Sequence, residues 1–385
     1  MKTTNCGNFT RDGKEFILTR PLLERPWMNV LSNGNWCYVA SHLGGGYSFL
    51  GNPTVSRITR WHIDGVPRDT VGKFLYLRDE ETGDWWTANG YPPTRRTGGW
   101  KCHIGLGYNR IVARHNGIAS EMTWFCPMPD AATSSGDDVG DPCLIWRVSL
   151  ANKTKKRRVI SATAYVELAL GNWYEDTSWR EFYLLFNRQN YLNNALYLRS
   201  TQWVKYIGGW QAANSDANNI WFDKAVFLAS SAAVCGYEGD RYEFIGPYRD
   251  LKDPRAMDSG RLRNDVGLGR DACSVLQSRF ELEPGQSVDY VLLLGAIPRE
   301  QDEATELFAK YLDVARADAA FENNQAYWRK VTGTPHIETP DDDLNTLVNY
   351  WYKYQGANLP GGTATRATAT SESTTSGSAT PARTR

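Results

Sequence analysis

The sequence predicts a mainly β protein: a large two-sheet sandwich over residues 1–297, then helices. Short runs rich in β-branched and aromatic residues recur from about residue 10 to 297, among them "EFILTR", "WCYVAS", "KFLYLRD", "NRIVARH" and "CLIWRVSL". Turn formers bound them, as in "DGK", "NGN", "DGVP", "ETGD", "HNG" and "EPGQ". The intervals are irregular and several are long, which favours a large sandwich over a small repeat barrel. With 385 residues, 41% of them apolar, the chain can bury a substantial core.

Near the start of the chain, "HLGGGYSF" (His42 to Phe49) carries a glycine triplet but neither GxGxxG spacing nor a following GK[ST]. A close-packed turn or bulge is favoured over a phosphate loop. "RDEETGDWW" reads as a solvated hairpin tip with Asp79, Glu80, Glu81 and Asp84. In "HIGLGYNRI" Gly105 and Gly107 interrupt a strand pattern, and His103 is a core or binding residue, structural use being favoured. "ELEPGQSVDYVLLLGAI" reads as a hairpin-like pair turning at Pro284 and Gly285.

At Pro298 the period changes, opening a helical linker over 298–335. Ala304, Leu307, Phe308, Tyr311, Leu312 and Ala315 recur at helical spacing, with Asp302 as the expected N-cap. A second helix is expected from about Asp318 to Val331, and "TGTP" breaks the chain after it. A third helix lies within 336–355. Thr339 is its expected N-cap, Pro340 its first residue, and three Asp face the positive end of its dipole. Leu344, Leu347, Val348, Trp351 and Tyr352 form an apolar stripe that other helices are expected to cover. Residues 356–385 contain one Leu, no aromatic, and mostly Thr, Ser, Ala and Gly, so a disordered low-complexity tail is expected.

The totals narrow the function. Forty-three basic and 43 acidic side chains cancel, giving no electrostatic reason to expect nucleic acid or an anionic membrane as partner. Seven scattered cysteines, with no CxxC and no Cys/His cluster, predict reduced thiols rather than a disulfide framework or metal site. A polar N-terminus and the lack of an 18-residue apolar run predict a soluble, cytoplasmic protein. Fifteen Trp and 20 Tyr fit either sugar-stacking faces or a large aromatic core.

No Ser/His/Asp or Cys/His arrangement is legible. The segment "VELALGNWYEDTSWREF" is the one place where carboxylates, amide, guanidinium and aromatics crowd together. After Glu167, a polar–aromatic loop holds Asn172, Trp173, Tyr174, Glu175, Asp176, Trp179, Arg180 and Glu181. Sugar contact and a loop with buried Trp stand as its two readings. The substrate-binding candidates are Asn172, Trp173, Trp179, Arg180 and Glu181.

"EFILTRPLLERPWMNVLSNGNWCYVASHLGGGYSF", then "RITRW", "VPRDTVGKFLYLRDEETGDWW", "HIGLGYNRI", "WRVSLANKT", "AYVEL" and "TPDDDLNTLVNYWYKYQ", resemble in order the N-terminal part of glycoside hydrolase family 94, the cellobiose and chitobiose phosphorylases. The resemblance runs from Phe9 to Gln355. It implies a galactose mutarotase-like β-supersandwich, linker helices and an (α/α)6 barrel, of which 336–355 would be the first helix. It also implies inverting phosphorolysis of a β-linked disaccharide to a sugar 1-phosphate and a free sugar. One carboxylic acid protonates the leaving oxygen while inorganic phosphate, the co-substrate, attacks from the opposite face. No other cofactor is implied.

In that family the general acid Asp lies in the barrel, C-terminal of the helix ending at Gln355, so no catalytic residue carries over to this chain. The loop after the "VEL" strand, here Asn172 through Glu181, lies near the active-site mouth of the neighbouring subunit of a homodimer in relatives. The favoured expectation is therefore a phosphorylase's N-terminal part, inactive alone, with 356–385 read from a shifted frame. Translating the downstream DNA in the other two frames tests it. The alternative is a non-catalytic carbohydrate-binding or dimerisation module, whose saccharide affinity Trp173→Ala or Trp179→Ala would weaken.

Overall fold

Strands form where β-branched and aromatic runs meet a turn that only glycine or asparagine fits easily. Asn116 and Gly117, for example, both take positive φ (46° and 78°) and close the tight turn between two strands. A computed structural model describes residues 6–54, 56–60, 71–92, 98–135, 138–171, 173–178, 180–200 and 224–358.

The chain opens with β1 (Gly7–Phe9), β2 (Glu15–Leu18), β3 (Met28–Ser32), β4 (Trp36–Ser41), β5 (Gly46–Leu50) and β6 (Arg57–Thr59). Next come β7 (Lys73–Asp79), β8 (Trp85–Thr87), β9 (Gly98–Gly105), β10 (Tyr108–His115), β11 (Ile118–Phe125), β12 (Cys143–Asn152) and β13 (Arg158–Gly171). Two short helices, α1 (Trp173–Ser178) and α2 (Arg180–Leu184), precede β14 (Asn187–Leu192) and β15 (Ala195–Ser200). After β16 (Lys224–Ser230) and β17 (Val234–Asp240) lie α3 (Arg241–Ile245) and α4 (Arg255–Ser259). The long strands β18 (Ala272–Leu282) and β19 (Ser287–Pro298) lead into α5 (Thr305–Tyr311) and α6 (Val314–Thr332). Finally α7 (Asp342–Thr346), a π-helical turn (Leu347–Trp351) and α8 (Tyr352–Asn358) run on as one helix.

Among the described residues these strands make two antiparallel sheets. The first has ten strands in the order β1-β2-β9-β10-β11-β12-β19-β16-β15-β14. The second has nine: β17-β18-β13-β6-β5-β4-β3, with β7 on β13 and β8 on β7. The expected two-sheet β-sandwich is thus the observed architecture.

Period-two alternation decides which side chains meet between the sheets. In β12, Leu144, Trp146, Val148 and Leu150 join the central core. Cys143 and Ile145 point the other way, into a second cluster capped by α5 and α6. A third cluster on the outer face of the nine-stranded sheet packs Phe74, Tyr76 and Tyr165 under Phe244 and Met257 of α3 and α4. Trp36, Trp86, Trp124 and Trp146 are among the largest fully buried side chains, so much of the aromatic content serves the core.

Several expectations require correction. Strands β18 and β19 do turn at Gly285 (φ 79°), but they are not a hairpin pair. β18 pairs with β13 and β17, while β19 pairs with β12 and β16, so the turn crosses from one sheet to the other. Asp79 is not at a solvated tip; it is wholly buried and ion-paired with Arg158. Helix α5 begins at Thr305 without a side-chain cap, and Asp302 lies outside it. Helix α6 starts earlier than Asp318, because Asp313 caps it by accepting from the Arg316 N–H.

The N-cap of α7 is Asp341, which accepts from the N–H groups of Asp343 and Leu344. Thr339 instead accepts from the Asp341 N–H and donates to Asn345 Oδ1. A carboxylate two residues later out-competes the hydroxyl for the orphan donors. The terminal helix runs to Asn358 rather than Gln355. The expected cover of its stripe is not observed: of the five stripe residues only Trp351 is buried, against the sandwich. Trp351 and Tyr354 are buried, while Leu344, Leu347 and Tyr352 remain exposed. Trp351 Nε1 donates to Gly13 O at 2.8 Å, and Tyr354 Oη donates to Val30 O at 2.8 Å. Beyond Asn358, the expected tail lies outside the described residues. Among the described residues, no helix is long and apolar enough to cross a membrane.

Candidate functional site

The expected sugar loop is built on the end of β13. That strand continues through Glu167 to Gly171, so Glu167 sits inside the strand rather than after it. Two short helices come next in place of an irregular loop: Trp173 opens α1 and Arg180 opens α2. Asn172 and Trp179 lie outside the described residues. Arg180 is partly buried and Glu181 is exposed.

Six charged groups converge here. Arg60, just after β6, has its guanidinium almost wholly buried. Its Nη1 donates to Glu167 Oε1 at 2.8 Å and to Asp271 Oδ1 at 3.1 Å. Its Nε and Nη2 grip Asp176 in a two-pronged contact, at 2.9 Å to Oδ2 and 2.6 Å to Oδ1. Arg180 pairs with Asp271, and Arg241 Nε lies 3.0 Å from Glu167 Oε2. Tyr165 Oη donates to the same Glu167 oxygen at 3.0 Å. Three carboxylates therefore answer three guanidinium groups.

The electrostatics fix the protonation state of Glu167. Burial alone would raise its pKa, but Arg60 and Arg241 outweigh that and pull it down to about 2. Arg60 is likewise held charged: burial opposes its charge, and Asp176, Glu167 and Asp271 overcome the opposition. At neutral pH Glu167 is an anion, so it cannot serve as a general acid. The cluster is a lock. It ties α1 and α2 to the ends of β6, β13 and β18 and to the start of α3, and so fixes the loop in which the sugar contact was expected.

Of the named candidates whose side chains are described, Arg180 joins this cluster and the exposed Glu181 does not. Arg60, Arg241 and Asp271 escaped sequence reasoning, since nothing in "RITRW", "DRYEF" or "GRDACS" marks them as partners. The glycine triplet is structural, as expected. Gly44 and Gly46 have φ of 84° and 92°, and a Cβ on Gly46 would lie 1.9 Å from Val39 O. Gly107 (φ 81°) lies in the turn between β9 and β10, where a Cβ would strike the Trp328 indole. His103 is tied by Nδ1 to Glu15 Oε2 at 3.0 Å.

Residues 14–314 match the family model described as glycosyl hydrolase 94, supersandwich domain. N,N'-diacetylchitobiose phosphorylase of Vibrio furnissii is 30% identical over 351 residues, covering 91% of this chain and 40% of that protein. Solabiose phosphorylase of Paenibacillus borealis is 29% identical over 356 residues, covering 91% and 42%. The chain thus spans about two-fifths of the length of these curated relatives. A solved structure from the human microbiome, described as a kojibiose phosphorylase, superposes with TM-score 0.51 at 9% identity. It covers 91% of this chain and 42% of that one, and it speaks for the fold alone. With a family match across most of its length, carried by the two-sheet frame described above, this chain belongs to glycosyl hydrolase family 94.

Proposed function

We propose that this chain supplies the N-terminal supersandwich of an inverting glycoside phosphorylase. The enzyme converts a β-linked disaccharide and inorganic phosphate into a sugar 1-phosphate and a free sugar. The observation that carries the reading is the match over residues 14–314 to a domain found in phosphorylases of chitobiose and solabiose. The state of the ion cluster supports the division of labour. Its buried carboxylate, Glu167, is held as an anion by its arginines and so is not itself a proton donor. In this reading the chain has no turnover of its own, acts in the cytoplasm, and functions within a homodimer. Its segment Asn172 to Glu181 then borders the sugar site of the neighbouring subunit.

The test is an assay for sugar 1-phosphate with N,N'-diacetylchitobiose, cellobiose or laminaribiose plus inorganic phosphate. The purified chain alone is expected to release none. Joined to the C-terminal region of the Vibrio furnissii phosphorylase in place of that enzyme's own sandwich, it is expected to restore release. Turnover by the chain alone would overturn the division of labour. Release of two free sugars without phosphate consumption would mark a hydrolase and overturn the reaction class.

A further inference from the structure

On the outer face of the nine-stranded sheet, beside the ion cluster, α3 and the turn after it enclose a cleft of about 350 Å³. Arg241, Tyr242, Tyr248, Arg249, Asp250 and Lys252 provide its polar and aromatic lining. The volume is at the small end of ordinary ligand clefts, which run from about 300 to 1,000 Å³.

Two features mark this cleft. Tyr242 is 56% exposed and Tyr248 is fully exposed, so two phenol rings stand at one opening. Tyr248 also has φ of +61°, a left-handed backbone that a bulky residue adopts at a cost of about 1–3 kcal/mol. Glycine or asparagine would fill that position without strain, yet the sequence places a tyrosine there. Gly246, with φ of +90°, lets the chain turn, and the Arg249 N–H closes the turn on Gly246 O.

Both arginines of the cleft are already paired. Arg241 is paired with Glu167 and Asp271, and Arg249 with Asp253 and Asp258. Asp250 Oδ1 accepts from the Lys252 N–H at 2.7 Å. A bare anion would find both guanidinium groups already committed to carboxylates. A hydroxyl-rich, neutral ligand would find ring faces, guanidinium donors and a carboxylate acceptor together. We propose that this cleft is a saccharide-binding subsite, in which Tyr242 and Tyr248 stack on a pyranose ring while Arg241 and Asp250 meet its hydroxyls. The choice of ligand class rests on the phosphorylase reading; the site itself rests on the cleft and its two tyrosines.

Calorimetry on the purified chain with cellobiose, cellotetraose and N,N'-diacetylchitobiose tests the assignment. At least one is expected to bind, and Tyr242→Ala or Tyr248→Ala to weaken it at least about tenfold, roughly 1.4 kcal/mol. Tyr248→Phe should retain binding. Tyr248→Gly should lose binding while the melting temperature holds or rises, which separates recognition from folding. Tyr352→Ala, an exposed tyrosine on the terminal helix, should change nothing. No heat with any of these sugars at millimolar concentration would overturn the proposal, as would binding of inorganic phosphate or glucose 1-phosphate alone. Tyrosine variants that shift sedimentation but not saccharide affinity would make the cleft a protein interface and overturn it too. Sugar binding here without phosphorolysis by any assembly leaves the subsite standing and removes the phosphorylase reading. Phosphorolysis with no binding by the chain does the reverse.

Discussion

Arg60 Nη1 lies 2.8 Å from Glu167 Oε1, and the two side chains are 4% and 0% exposed. A pair so deeply buried joins positions 107 residues apart, and it ties β13 to the chain just after β6. Its worth is asymmetric: the formed pair need not stabilise much over an apolar substitute, but breaking it strands a buried charge.

Arg60→Met should therefore destabilise the fold by about 3–5 kcal/mol, because Glu167 and Asp176 both lose their main partner. Urea unfolding followed by tryptophan fluorescence reads the change. A loss below about 1 kcal/mol would mean that the cluster is more hydrated than its geometry implies.

The same carboxylate sets an acid limit. Its pKa falls from 4.5 to about 2 on folding, so its contribution is fully present above the unfolded value and is lost as pH falls through about 2. The shift corresponds to stability on the order of 3 kcal/mol. Glu15, lowered chiefly by its hydrogen bond to His103, adds to acid sensitivity in the same direction. Thermal melts between pH 5 and pH 2 should show a shallower decline for Glu167→Gln than for the parent, and an unchanged slope would refute the assignment.

The glycine triplet can be separated from a ligand loop by two substitutions. Gly46→Ala places a Cβ 1.9 Å from Val39 O at φ of +92°, whereas Gly51→Ala, at φ of +58°, meets nothing within 4 Å. The second should cost only the left-handed penalty, about 1–2 kcal/mol, and the first clearly more. Equal melting temperatures would show that the backbone at Gly46 relaxes freely.

Docking of the terminal helix depends on two aromatic anchors. Trp351→Ala removes a buried indole and its bond to Gly13 O, an expected loss of about 3–5 kcal/mol from the helix–sandwich contact. Tyr354→Phe keeps the ring, which packs edge-on against Trp328, but leaves Val30 O, the acceptor of its hydroxyl proton, short of a donor, for about 1–3 kcal/mol. Limited proteolysis should cut within 339–358 faster in both variants while the strands stay protected. Equal cutting rates would place the anchoring elsewhere.

Local chemistry alone fixed much of this protein. Runs rich in β-branched and aromatic residues, such as "CLIWRVSL" and "KFLYLRD", announced strands, and Gly285 announced a turn. The change of period at Pro298 announced the helices. These features repeat every two or 3.6 residues, so a short window contains them. A window cannot say which sheet a strand joins, and for that reason the turn at Gly285 looked like a hairpin when it bridges two sheets. It cannot say which aromatic stripe finds a partner either: Trp351 met Gly13, 338 residues away, and not another helix of its own kind. The candidate site divides in the same way. The sequence crowded Asp176 and Arg180 beside aromatics, but only folding brought Arg60, Arg241 and Asp271 to Glu167. Charge pairing in a buried site depends on distance in space, and a linear sequence carries no record of that distance.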